Sequence, residues 1–229
     1  MNDILKNYGL NLSEKTLEKL EAFKNILKEY NEKFNLTSIT DDEGVYEKHF
    51  ADSLKGAELF PVGANVLEIG SGGGFPSVPL KIARPDLKFT LMEATEKKCG
   101  YLKIVGEKLG FNDFKVINGR AEELGRDENF REKFDAVTAR AVARLNVLTE
   151  YCLPFVRVGG YFVAYKGDAD EEIKEASSAI EKLGGKIEEI KKFVLSEKSG
   201  TRNIIVIKKI KETPSVYPRK NGAIKKNPL

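Results

Sequence analysis

Four glycines fall within five positions, Gly70, Gly72, Gly73 and Gly74, inside the stretch "VLEIGSGGGFPSVPL" that spans residues 66–80. A strand-to-helix turn stripped of side chains lets a nucleoside or phosphate group lie directly against the main chain. Glu68 stands just before the loop, and Glu93 ends the run "KFTLME", 23 residues beyond Gly70. A carboxylate at that second position can accept both hydroxyls of a ribose in bidentate fashion. A third strand-like run leads into "NGRAEEL", which brings Ala121 and Glu122 to a strand end where an adenine amino group is met. Three successive strand ends therefore carry residue types suited to a nucleoside cofactor.

Which cofactor is meant turns on details of the loop. The dinucleotide fingerprint G-x-G-x-x-G needs its third glycine at position 75, where this chain has Phe75. Pro76 and Pro79 delay the first helical turn that a pyrophosphate would use. Glu68 is hard to explain beside a pyrophosphate, whereas it can pair with an ammonium group or with water near one. These features favour S-adenosylmethionine over a nicotinamide dinucleotide.

Methyl transfer from a sulfonium is an in-line displacement that needs a lone pair, alignment and surroundings that disperse positive charge. Enzymes acting on exocyclic base amines carry an Asn/Asp-Pro-Pro-aromatic turn after the fourth strand, where this chain reads "TARAVARL" (138–145). Attack at a pyrimidine ring carbon needs a cysteine nucleophile, and Cys152 lies in an apolar helical run with no proline before it. A ring nitrogen with an in-plane lone pair, above all guanine N7, needs no base and fits what is left. Arg140 and Arg144 then suit flanking phosphates or the cofactor loop. The single histidine, His49, sits in an amphipathic pattern that favours packing or hydrogen bonding over general-base work.

The elements that must position these residues are legible in the pattern. Leu17, Leu20, Phe23, Leu27, Tyr30 and Phe34 recur at helical spacing behind Ser13 as N-cap, and a second helical pattern runs from about 41 to 59. From residue 66, β-like and helical runs alternate, which predicts a mostly parallel sheet with helices on both faces. Two last β-like runs, "KIEEIKKFVL" and "TRNIIVIKKI", flank the turn "SEKSG" and must pair antiparallel. The expected fold is α/β: a Rossmann-like, seven-stranded class I methyltransferase sheet of five parallel strands and an antiparallel C-terminal hairpin, with an N-terminal helical extension. The divisions are residues 1–60 for the extension, 61–212 for the S-adenosylmethionine-dependent domain, and 213–229 for a basic, irregular arm.

With 41% apolar and 32% charged residues the 229-residue chain is an ordinary globular one. Residues 186–229 hold 12 Lys/Arg against 4 Asp/Glu, although the net charge is only +3. That basic end suits a phosphate backbone or a solubilising tail, and charge alone does not separate the two. Two distant cysteines and one histidine make no ligand cluster, so no metal is expected. No apolar run approaches the roughly 20 residues of a membrane span, and the N-terminus lacks a signal-peptide pattern, so a cytoplasmic location is expected.

With "LEIGSGGGFPSVPLKIARPD", "YNEKFNLTSI", "KHFADSL", "FDAVTARAVARL" and "GGYFVAYKG" together, the chain resembles the glucose-inhibited division protein B family (RsmG) over nearly its whole length. The resemblance implies transfer of a methyl group from S-adenosylmethionine to a guanine N7 of small-subunit (16S) ribosomal RNA near the decoding region. It implies cofactor contacts at Gly70 and Phe75, at Glu93, Ala94 and Thr95, at Ala121 and Glu122, and at Arg140. Glu68, Gly72 and Gly74 join them from the loop itself. Asn35, Thr37, His49, Asp52 and Ser53 match motifs that face the same pocket, with Arg144 a further candidate, and Lys166 and Arg202 match phosphate-binding positions. The loop departs from the family at Glu68, often Asp, at Gly73, often Pro or Ala, and at Ser77, usually glycine. The expected partner is small-subunit rRNA or its assembly particle, met by a monomer without metal or membrane. A nicotinamide-dependent oxidoreductase and a non-catalytic RNA-binding module on the same fold are the competing readings.

Overall fold

The alternating pattern becomes a single sheet in the computed structural model, which describes residues 1–196 and 199–229. Strands β1 (Asn65–Ile69), β2 (Lys88–Glu93), β3 (Phe114–Asn118), β4 (Phe134–Arg140) and β5 (Val156–Lys166) run parallel. Strands β6 (Gly185–Ser196) and β7 (Gly200–Lys209) form the antiparallel hairpin, and β7 pairs with β5. The spatial order is β3-β2-β1-β4-β5-β7-β6. Glu197 and Lys198 of the "SEKSG" turn lie outside the described residues. The central strands are apolar on both faces because helices cover both, as crossover connections require. The chain reverses after β1 toward β3 on one side and toward β4 on the other, so the ends of β1, β2, β3, β4 and β5 share one edge where an open α/β sheet binds ligands.

On one face lie α1 (Asn2–Asn7) and the long α2 (Glu14–Phe34), then α3 (Asp42–Gly44), which passes through a π-helical stretch (Val45–Ala51) into α4 (Asp52–Leu54). The helices α5 (Ser77–Ala83) and α6 (Glu96–Lys108) complete this face. Ser13 caps α2 by accepting from the Thr16 amide at 3.2 Å, and Leu20, Phe23 and Leu27 enter a core shared with Val66, Leu80 and Leu102. The buried Lys24 binds α2 to the π-helical stretch, donating to Asp42 Oδ2 at 2.9 Å and Tyr46 Oη at 2.6 Å. The "RPD" motif does structural work: Arg84 chelates Asp86 at 2.8 Å twice and reaches the carbonyls of Ala57 and Phe60.

The opposite face carries α7 (Ala121–Leu124), α8 (Leu145–Cys152), α9 (Asp170–Lys182) and α10 (Asn221–Lys226) over a second core. Residues 213–220 run without regular secondary structure, as expected of an irregular arm, and lead into the short α10, but they are packed against the domain as a strap. Its composition gave no sign of that packing because the strap is held largely by polar clasps, with Thr213, Pro218 and Ile224 buried among its described residues. Among the described residues no helix is long and apolar enough to cross a membrane.

Candidate active site

The loop after β1 owes its path to glycine. Gly70 has φ +71°, and a Cβ there would meet Val142 Cγ2 at 2.7 Å; Gly74 has φ +89°, with Val78 Cγ2 at 2.7 Å. Both positions combine a left-handed backbone with a close neighbour, so any side chain would be strained. Glu93 holds the loop from the next strand, accepting from the Gly72 amide at 3.0 Å and from the Thr95 amide at 2.8 Å. Its carboxylate has lone pairs beyond those two bonds and stands at the edge of a cleft.

That cleft lies across the ends of β1, β2 and β3. Gly70, Glu93, Ala94, Ala121 and Glu122 line it together. Thr95 serves the turn beside it through its amide. Sequence reasoning missed Arg120, Val142, Tyr151 and Lys225, which also line it. Val142 follows Ala141, a non-glycine residue at φ +57°, so the β4–α8 loop is bent to lay Val142 over Gly70. No periodicity signals such a bend.

Glu68 lies beneath the loop, fully buried. The buried hydroxyls of Ser71 and Ser77 face its carboxylate without forming well-aligned hydrogen bonds to it. Burial pushes its pKa up to about 7, opposed by those hydroxyls and by Arg140. A buried acid so weakly bonded below a side-chain-free loop is the environment a cationic ligand would relieve.

A second, polar pocket opens at the ends of β4 and β5. His49, Asp52, Arg140 and Arg202 line it, with Lys48, Tyr165 and Lys166. Arg140 is its hub: Nη1 donates to Asp52 Oδ2 at 2.9 Å and to the Lys48 carbonyl at 3.0 Å, and Nη2 donates to His49 Nδ1 at 2.8 Å. Because a guanidinium only donates, Nδ1 must accept, so the imidazole proton sits on Nε2 and is donated to Thr37 Oγ1 at 2.8 Å. Burial, joined by the charge of Arg140, lowers the His49 pKa to about 3. His49 is therefore a neutral strut whose one lone pair is already engaged. The π-helical turn that presents Lys48 and His49 to Arg140, and leads into α4 with Asp52 at its start, is a local feature the sequence pattern did not reveal.

Phe75 joins the two regions. Its buried ring stacks on the His49 imidazole with centroids 4.2 Å apart, and the Arg140 guanidinium carbon lies 5.0 Å from its centroid. The other sequence-derived candidates are more scattered, and Asn35 and Thr37 line a separate pocket with Asn31 and Ile39. Asn35 caps α2 in the left-handed conformation, and the Asn31 side chain brackets Thr37 through its amide and carbonyl. Ser53 is buried under the pocket, donating to the His49 carbonyl, and its own carbonyl accepts from Tyr165 Oη at 2.9 Å. Lys166 is engaged in the β4–α8 loop, donating to the Ala143 carbonyl at 2.8 Å and pairing with Glu172 at 2.7 Å. Arg144 pairs with Glu175 at the surface, away from both pockets. Arg202 reaches toward Asp52 at 3.9 Å. Among the described residues no group of His, Cys, Asp and Glu gathers as a metal site, and Cys99 and Cys152 are buried free thiols.

Comparison with known proteins decides the family. Residues 16–205 match rRNA small subunit methyltransferase G. The chain belongs to that family. Proteins named ribosomal RNA small subunit methyltransferase G from Brevibacillus brevis and Acetivibrio thermocellus are 46% and 47% identical to it. The first alignment covers 99% of this chain and 97% of the relative, the second 97% and 92%. The crystal structure of an O-methyltransferase from Bacillus cereus in complex with SAH superposes with a TM-score of 0.58 at 20% identity, over 82% of this chain and 91% of that one. That likeness is one of fold, a seven-stranded α/β sheet with an antiparallel C-terminal hairpin.

Proposed function

We propose that the protein transfers the methyl group of S-adenosylmethionine to N7 of a guanine in small-subunit (16S) rRNA near the decoding region, acting as a cytoplasmic monomer on the RNA or its assembly particle. The observation that carries the reading is the pair of pockets at one sheet edge, with the adjacent residues Val142 and Ala141 lining one each. The residues fit the cofactor: Glu93 is free to accept ribose hydroxyls with its remaining lone pairs, Ala94, Ala121 and Glu122 lie where adenine would rest, and Gly70 clears the backbone beside them. The buried Glu68 answers the positive charge of the methionine end. When bound, S-adenosylmethionine supplies an electrophilic methyl carbon on a sulfonium.

The polar pocket takes the base. Arg140, fixed by His49, Asp52 and the Lys48 carbonyl, aligns one wall, and Arg202, anchored through Nη1 by the Ser199 and Thr201 carbonyls, has donors left for a phosphate. Guanine N7 attacks with an in-plane lone pair, so no proton has to leave. That suits a pocket whose histidine has no lone pair to spare. Asp52 and the backbone carbonyls at the rim face the positive charge that appears on the methylated ring. In this division residues 1–60 and 61–212 both line the acceptor pocket, 61–212 supply most of the cofactor cleft, and the strap 213–229 adds Lys225 to it.

Incubation with S-adenosylmethionine labelled in the methyl group and unmodified small-subunit RNA or particles tests the proposal. One guanine should take the label and become cleavable by borohydride and aniline. Label confined to an exocyclic amine or a ring carbon would overturn it.

A further inference from the structure

The strap is tied down along its whole length. Arg131 donates to the carbonyls of Thr213 and Tyr217 at 2.6 and 2.8 Å, and Arg126 donates to those of Val216 and Pro218 at 2.9 and 2.8 Å. Arg219 then grips Glu150 of α8, with Nη2 to Oε2 at 2.6 Å and Nε to Oε1 at 3.0 Å, while its amide donates to the same carboxylate at 2.7 Å. The Glu150 side chain is 1% exposed, so this ion pair is a buried, charge-assisted anchor. Beyond it, Ile224 is wholly buried in the core under α8. The path carries the chain from the amino edge of the sheet, where β7 ends, to the carboxyl edge, where Lys225 stands in the wall of the cleft formed by Gly70, Glu93, Ala121 and Glu122.

A tail that served RNA by charge alone would have no need of two arginine clasps and a buried anchor. We infer that the strap is part of the cofactor site: Lys225 closes the adenine side of the cleft and donates to the bound cofactor, so the end of the chain sets affinity for S-adenosylmethionine and its product. The inference rests on the assignment of this cleft to the cofactor. Lys225 is exposed in the free protein, so replacing it removes a contact to the ligand without removing a support of the fold. It acts as a binding and positioning residue.

The test compares wild type, Lys225→Ala, Lys225→Arg and Arg219→Ala by calorimetric titration with S-adenosylmethionine and with S-adenosylhomocysteine, alongside the melting temperature of each free protein. Lys225→Ala should weaken both ligands by about tenfold, as the loss of a charge-assisted bond does, at an unchanged melting temperature of the free protein. Lys225→Arg should restore most of the affinity. Arg219→Ala, which frees the strap, should weaken both ligands and also lower the melting temperature. Unchanged ligand affinity in Lys225→Ala overturns the inference, and a simultaneous fall in its affinity for small-subunit RNA would give the strap back to the RNA. Failure of the wild type to bind either ligand would instead overturn the assignment of the cleft.

Discussion

Replacing Glu68 by Gln should make the free protein more stable at alkaline pH and leave it nearly unchanged at pH 4.5. The carboxyl is fully buried with only the poorly aligned Ser71 and Ser77 hydroxyls beside it, and its pKa rises from 4.5 to about 7 on folding. Between those values the folded protein holds a proton that the unfolded chain releases, so stability falls as pH rises through the window and levels off above it. A shift of that size corresponds to about 3 kcal/mol lost between pH 4.5 and pH 8. Glutamine has the same shape and no charge to desolvate, so the difference between variant and wild type should grow from near zero to about that value. For a chain of this length that means roughly 6–12 °C in melting temperature at pH 8. Thermal melts of both proteins without ligand, from pH 4.5 to 8.5, read the difference directly, and subtraction removes every other titrating group. Addition of S-adenosylmethionine should raise the wild-type melting temperature more than that of the variant at pH 8, because a cationic ligand compensates the carboxylate. A difference that does not change with pH would refute the reasoning, since it would mean that the carboxyl ionises as it does in water.

Other perturbations have equally definite outcomes. Gly70→Ala places a methyl group 2.7 Å from Val142 at φ +71°, and should cost about 1–3 kcal/mol in urea unfolding while abolishing measurable S-adenosylmethionine binding in calorimetry. Arg140→Ala strands the Asp52 carboxylate, 8% exposed, and should destabilise by about 3–5 kcal/mol in the same unfolding assay. Because His49 is neutral down to about pH 3, single-turnover methylation followed from pH 5.5 to 8.5 should show no inflection from it. The His49→Asn variant should then lower the profile without altering its shape.

Much of the fold could be read from the residues because the signals were local. Ser13 and the spacing from Leu17 to Phe34 define α2, and the short β-like runs with the terminal hairpin define the sheet. The cleft under Glu93 and Ala121 was legible for the same reason, since strand ends in such a sheet meet at one edge whatever the intervening helices do. The polar pocket was legible only as a set of motifs. Nothing in the spacing of His49 and Asp52 announces the π-helical turn that brings His49, with Asp52 just after it, to Arg140, 88 and more residues later in the chain. The Lys166 pairing with Glu172 and the bend at Ala141 are likewise tertiary. The packing of the strap was not legible because its clasps, Arg126 and Arg131, belong to a distant segment, and a chain held by its own carbonyls has the composition of a loose one.

Phe75 occupies the place where a dinucleotide enzyme would have a glycine, and its ring separates the glycine loop from the His49 and Arg140 pair. An aromatic ring is incompressible and has a fixed thickness, so it acts as a gauge block between the glycine loop and the His49–Arg140 pair. The spacing of the loop from that pair is then set by covalent dimensions, and an aliphatic side chain at position 75 would leave it adjustable.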